Sequence, residues 1–252
     1  MRRRSSPSAA APMLAYVLAL AAALGATDLA EAQTVQAVTE ASSFTSVPGG
    51  RPGGPATAIA EATLRRAGLD YRVAVYPWAR AYDMALHDPD VLIYLVARTT
   101  DREPLFRWVG EVTKVDAPLY RLRSRKDVVV NGLSDARRYR IGVARGDARQ
   151  DALAKAGFSR LVVSAQDFDN FKKLLNNQVD LIPLPERDAM ALAREAGVGY
   201  DRLEKVLTVD SLALELWMAY SKTTSADVVA RTRAAFFDLK AHGVVTRLLD
   251  KP

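Results

Sequence analysis

The chain of 252 residues contains no cysteine. That excludes a disulfide scaffold, a thiolate-ligated zinc or iron–sulfur site, a thiol nucleophile and a lipid-modified N-terminal cysteine. Histidine is nearly as scarce. His87 and His242 lie far apart, neither in an H-E-x-x-H pattern nor beside a run of carboxylates, so a histidine-rich metal centre or a histidine-based triad is not expected. The phosphate-loop pattern G-x-x-x-x-G-K-[ST], the dinucleotide pattern G-x-G-x-x-G and the nucleophile elbow G-x-S-x-G are all missing, as are internal repeats and low-complexity linkers. What is present is ordinary for a globular chain: 49% hydrophobic, 25% charged and 8% aromatic residues. Disorder, collagen and coiled coil are therefore not expected, and the length fits one large domain or two small ones.

The N-terminus reads as a targeting segment. Arg2, Arg3 and Arg4 form a basic start, Met13–Gly25 is wholly apolar or small, and Ala30-Glu31-Ala32 offers an A-x-A site before Gln33. These are the parts of a secretory signal peptide cleaved near Ala32/Gln33. The apolar run falls short of the ~20 residues that span a bilayer, and no later stretch reaches that length. A soluble periplasmic protein is expected. Removal of the segment lowers the net charge of +6 by only one. The densest basic cluster, Arg121–Lys126 (RLRSRK), is read as a solvated strand end, and no nucleic-acid partner is expected.

Beyond residue 33 the pattern alternates between strand and helix. Apolar runs or alternation predict strands over Thr34–Val38, Tyr71–Tyr76, Val91–Leu95, Leu119–Arg123, Tyr139–Val143, Leu161–Val163, Val179–Leu184, Leu203–Val209 and Leu212–Tyr220. Helical spacing predicts Ala56–Ala67, Trp78–Leu86, a short helix capped by Ser134, a helix from Gly146-Asp147 to Ala156, then Asp167–Asn176, Glu186–Ala196 and a long one capped by Ser225. The expected class is α/β with mostly parallel sheets flanked by helices.

In open α/β sheets ligands collect off the carboxyl ends of strands, near helix N-termini. Four stretches answer to that place. After the strand VLIYL come Arg98, Thr99, Thr100 and Arg102, which could fork onto a carboxylate or simply form a capped, surface-paired turn. Arg145-Gly146-Asp147 suits an anion, or Asp147 is only an N-cap. Pro183-Leu184-Pro185-Glu186 puts Glu186 where it reaches a cation or favours the helix dipole. Tyr76-Pro77-Trp78 places an aromatic at a rim, or in the core. Glu40, Ser42, Ser43 and Phe44 follow the first strand and would face the same cleft.

Taken in order, these stretches resemble the family 3 extracellular solute-binding proteins of ABC importers, along essentially the whole chain after residue 32. The resemblance is carried by YPWARA (Tyr76–Ala81), ARTTDREPLFRWVG (Ala97–Gly110), YRIGVARGDAR (Tyr139–Arg149), VDLIPLPE (Val179–Glu186) and LELWMAYSKTT (Leu214–Thr224). It implies a two-lobed, type II periplasmic-binding-protein fold with two hinge strands. The implied bounds are lobe one at 33–119 and 222–252, lobe two at 123–210, and hinges at 120–122 and 211–221. It also implies that Arg102 pairs with a ligand carboxylate and that Asp147 contacts the same group. The family position for the ligand ammonium falls on Pro185, which cannot take it, and Asp147 stands where Thr is common; the chain departs from the amino-acid pattern at both.

The expected function is therefore capture of a small polar or zwitterionic solute, amino-acid-like or an organic acid, by hinge closure. The ligand-binding residues would be Glu40, Phe44, Tyr76, Trp78, Arg98, Arg102, Asp147 and Glu186. A monomer is expected, with no cofactor and no catalysis, handing its ligand to an ABC permease in the inner membrane. The alternatives are a periplasmic cyclodehydratase on the same scaffold, with Glu186 or Glu40 as general acid, and a soluble sensor module acting through a receptor.

Overall fold

The computed structural model describes residues 34–46 and 51–250. The signal-peptide reading and the start at Gln33 lie outside them. Two separate groups of sheets organise the chain.

The first is five-stranded, in the order β2-β1-β3-β10-β4. Its members are β1 (Val35–Thr39), β2 (Tyr71–Val75), β3 (Val91–Ala97), β4 (Phe106–Val115) and β10 (Leu214–Ser221). β1 pairs in parallel with β2 and β3, whereas β10 runs antiparallel to β3 and β4. Helix α1 (Pro55–Arg66) starts with a proline in its first turn, where the missing N–H has no intrahelical partner anyway. Its Ile59, Ala60 and Leu64 pack on Leu92 and Tyr94 of β3, together with Val228 and Phe236 of α7 (Ala226–Ala241). The opposite face of the sheet, through Val38, Ile93 and Val96, packs on Trp78, Ala81 and Ala85 of α2 (Trp78–His87). Cover on both faces explains the uninterrupted apolar run of β3. The Ser225 cap is realised, its hydroxyl accepting from the Val228 N–H at 3.3 Å.

The second group contains β5 (Leu119–Leu122) between β8 (Ile182–Pro183) and β9 (Leu203–Leu207), both antiparallel to it. Beside it lies the parallel pair β6 (Ile141–Ala144) and β7 (Leu161–Ser164), tied to β8's strand through an Ile141–Leu181 bridge. Helices α4 (Ala148–Lys155), α5 (Asp167–Leu175) and α6 (Glu186–Glu195) bury Leu153, Phe171, Leu174, Ala189 and Ala193 against these strands. The short α3 (Leu133–Ala136) is capped by Gly132, and Ser134 lies inside it. Helix α8 (Val244–Leu249) closes the described chain.

Three expectations need correction. The sheets are mixed, with parallel strand pairing at β1–β2, β1–β3 and β6–β7 and a single parallel bridge at Ile141–Leu181. The segments 120–122 and 211–221 are mostly not crossovers: β5 is the central strand of its sheet, and β10 is held between β3 and β4 by its alternating Leu214, Leu216, Met218 and Tyr220. The chain passes between sheets at 116–118, just after the Val115–Leu214 pair, and at 208–213, just after the Leu119–Leu207 pair. Finally, the strand expected over Val179–Leu184 shrinks to Ile182–Pro183, because Pro183 and Pro185 have no N–H to give a ladder.

Candidate functional site

A cavity of about 590 Å³ lies between the two groups of sheets and takes its lining from both. From the first come Glu40 and Phe44 in the loop after β1, Tyr76 and Trp78 at the end of β2, Leu95 and Ala97 of β3, and Arg102. From the second come Asp147 and Arg149 at the start of α4, Asp167 and Phe168 at the start of α5, and Asp188, Leu192 and Glu195 of α6. Strand ends and helix starts thus converge as the topology rule requires. Leu95 is left-handed at φ 64°, beside the bulge that interrupts β3–β10 pairing. A bulky residue there is strained, and such bulges re-aim side chains beside functional sites.

Direct contacts cross the cavity's edge. The Gly146 carbonyl, after β6, accepts from Trp78 Nε1 and from Arg102 Nη2, each at 2.9 Å. The Ser43 N–H donates to Asp188 Oδ1 at 2.7 Å. The Arg187 guanidinium lies over the Phe44 ring at 5.0 Å, and Lys155 pairs with Asp101.

Electrostatically the site centres on Arg149. Its Nε and Nη2 fork onto Asp147 at 2.8 and 2.9 Å, Nη2 also reaches Asp167 at 2.8 Å, and Nη1 donates to the Pro183 carbonyl at 2.9 Å. Asp147 caps α4 as well, accepting from the Arg149 N–H at 2.6 Å. Burial works to raise the Asp147 carboxyl, but the Arg149 guanidinium overrides it and holds the group below its ordinary range. For Asp167 burial wins over Arg149, and the carboxyl is raised. Glu40 is raised well above the usual range, by burial first and then by Asp167 and Asp147.

Six of the eight expected residues line the cavity: Glu40, Phe44, Tyr76, Trp78, Arg102 and Asp147. Arg98 and Glu186 do not. Arg98 forks onto Glu103 at 2.7 Å and lies over the Trp217 ring at 4.3 Å. Glu186 accepts from Tyr200 at 2.9 Å and from Lys205 at 3.3 Å on the outer surface. Arg102 is only 4% exposed, beside the rings of Tyr82 and Trp78, so it is a core element as much as a wall. Sequence reasoning missed Arg149, Asp167 and Asp188. The available signal was their position in the first turns of α4, α5 and α6, which all point their N-termini at one place.

No protein-family model and no curated protein matches the chain. Solved structures do match in fold. A histidine kinase sensor domain with similarity to periplasmic binding proteins superposes with a TM-score of 0.76 at 16% identity, over 85% of this chain and 93% of that one. The arginine-, lysine-, histidine-binding protein ArtJ from Geobacillus stearothermophilus gives 0.73 at 17% identity, over 85% and 93%. Holo ArgBP from T. maritima gives 0.71 at 15% identity, over 85% and 95%. The chain therefore has the two-lobed α/β fold of periplasmic binding proteins, with the cavity between its lobes.

Proposed function

We propose that this protein is an exported solute-binding protein that closes its two lobes on a small polar solute and presents the closed form to an ABC permease. The observation that carries the reading is the cavity itself: about 590 Å³, within the range of small-molecule sites, and lined from both lobes so that only the closed arrangement completes it. Fold neighbours named for binding arginine, lysine and histidine support a solute of that size. Glu40, Phe44, Tyr76, Trp78, Arg102 and Asp147 belong to this binding site, joined by Arg149, Asp167 and Asp188. The segments 116–118 and 208–213 act as the hinge. Ligand binding then shifts an open–closed equilibrium by its differential affinity for the closed form.

Residues 1–32 act as the export signal, so that intact mass of the exported protein should correspond to a start at Gln33. The central test is a thermal-shift screen of small solutes followed by small-angle scattering. A ligand at about 100 times its Kd raises stability by roughly 2.7 kcal/mol and lowers the radius of gyration. A set of amines, amino acids, organic acids, sugars and short peptides that yields neither effect would sink the reading. The sensor-domain neighbour favours a second reading, in which the same closed form engages a receptor. Loss of solute uptake in a deletion strain selects import; retained uptake with loss of a solute-dependent response selects the receptor.

A further inference from the structure

We propose that the solute is an organic cation without a carboxylate, an amine or amidinium carried on an apolar stem. This rests on the reading of the cavity as the solute site.

Acidic side chains around the cavity outnumber cationic ones. Arg102, the guanidinium expected to meet a carboxylate, already gives one N–H of Nη2 to Gly146 at 2.9 Å and one of Nη1 to the Ala97 carbonyl at 3.5 Å, which leaves it three N–H groups against the acidic lining. Four of the N–H groups of Arg149 are committed to Asp147, Asp167 and Pro183. Two nearby backbone donors are taken, the Gly146 N–H by Gln150 Oε1 at 2.8 Å and the Ser43 N–H by Asp188.

On the acceptor side, five carboxylates line the cavity (Glu40, Asp147, Asp167, Asp188 and Glu195) against two guanidiniums. Arg149 serves Asp147 and Asp167. Glu40 and Glu195 have no side-chain hydrogen bond or ion pair to any described residue, and Asp188 accepts from one backbone N–H only. Glu40 lies on lobe one and Asp188 on lobe two, so a cation between them touches both lobes and draws them together. The Glu40 carboxyl is raised well above its ordinary value, by burial first and then by Asp167 and Asp147, and the opposing pull of Arg149 does not cancel this.

The rest of the lining agrees. Phe44, Tyr76, Trp78 and Phe168 each already carry a cation of the chain (Arg187, Arg80, Arg102 and Lys172), and together with Leu95, Leu192, Leu214 and Leu216 their rings form an apolar wall for a stem. Among the described residues no group of three or more His, Cys, Asp or Glu is placed to hold a metal ion.

The experiment compares solutes that differ only in the carboxylate, by calorimetry on the mature protein: agmatine against arginine, cadaverine against lysine, and tyramine against tyrosine. In at least one pair the amine should bind tenfold or more tightly than its amino acid. Glu40→Gln should weaken that amine at least tenfold with closure by scattering reduced in proportion, and the outer-surface control Glu186→Gln should leave it unchanged. An amino acid that equals or beats its amine in the pairs that bind overturns the inference, as does binding of organic acids alone; in either case the solute-binding reading stands. An amine whose affinity survives Glu40→Gln overturns the role given to that carboxylate and with it the inference. Failure of every solute, acids and sugars included, overturns both.

Discussion

At the scale of single residues, the costliest group to lose is Arg149. It holds two buried carboxylates, Asp147 and Asp167, and removing it leaves both without their cation. Breaking a buried pair from one side costs about 3–5 kcal/mol, so Arg149→Met should lower the urea midpoint far more than Arg98→Met, whose partner Glu103 is exposed. Glu40 sets a pH dependence of the ligand-free protein. Its native pKa lies well above the ordinary glutamate value of 4.5, so between the two the native state keeps a proton that the unfolded chain has lost. Its contribution is complete below about 4.5 and is lost as pH rises through the native value. Glu40→Gln should therefore gain stability relative to wild type as pH rises across that window, measured as urea midpoints from pH 4 to 8. Part of this site was legible from strand ends alone: Trp78, Arg102 and Phe44 are where the topology rule puts them. Side-chain direction was not. Arg98 is captured by Trp217, a neighbour that only β10 pairing supplies. Glu186 and Asp188 are two residues apart on α6, about 200° round a helix of 3.6 residues per turn, so one faces out and the other faces the cavity.

At the scale of elements, β4 is the instructive case. The longest strand of the structure was not anticipated, because Gly110 in its middle and the charges at Arg107, Glu111 and Lys114 blur the alternation. The glycine that weakens the local signal is required by a distant helix: a Cβ at Gly110 would stand 2.2 Å from a ring carbon of Phe236 on α7. Local propensity loses here to packing. Gly110→Ala should destabilise by about 1–3 kcal/mol in thermal or urea unfolding, the range for forcing an extra carbon into a packed core. The double variant with Phe236→Leu should recover part of that loss, a coupling that adjacent but non-touching sites would lack. Apart from α8, which was also not anticipated, the other helices and strands were readable because their apolar spacing, Gly stops and caps act within a few residues. The antiparallel pairings of β10 and β5 were not, since they join segments roughly 60 to 130 residues apart in the chain.

For the whole molecule, the decisive contact is the one carbonyl that receives both Trp78 and Arg102 across the cleft. Trp78→Phe combined with Arg102→Met should expand the ligand-free protein, seen as a larger radius of gyration in scattering, with a saturating ligand restoring most of the difference. The acceptor is main chain, on a glycine at φ 70° that a side chain would strain, so substitution cannot delete the oxygen itself. Neither donor needs cargo in order to bind it. On the proposed solute-binding reading, this contact favours the shut arrangement whether or not a solute is held, so an unloaded shut molecule is a blank key cut to the same outline as a loaded one. In an import system such blanks occupy the permease without delivering anything, so at scarce solute the uptake rate should climb with the amount of this protein, pass a maximum and then fall.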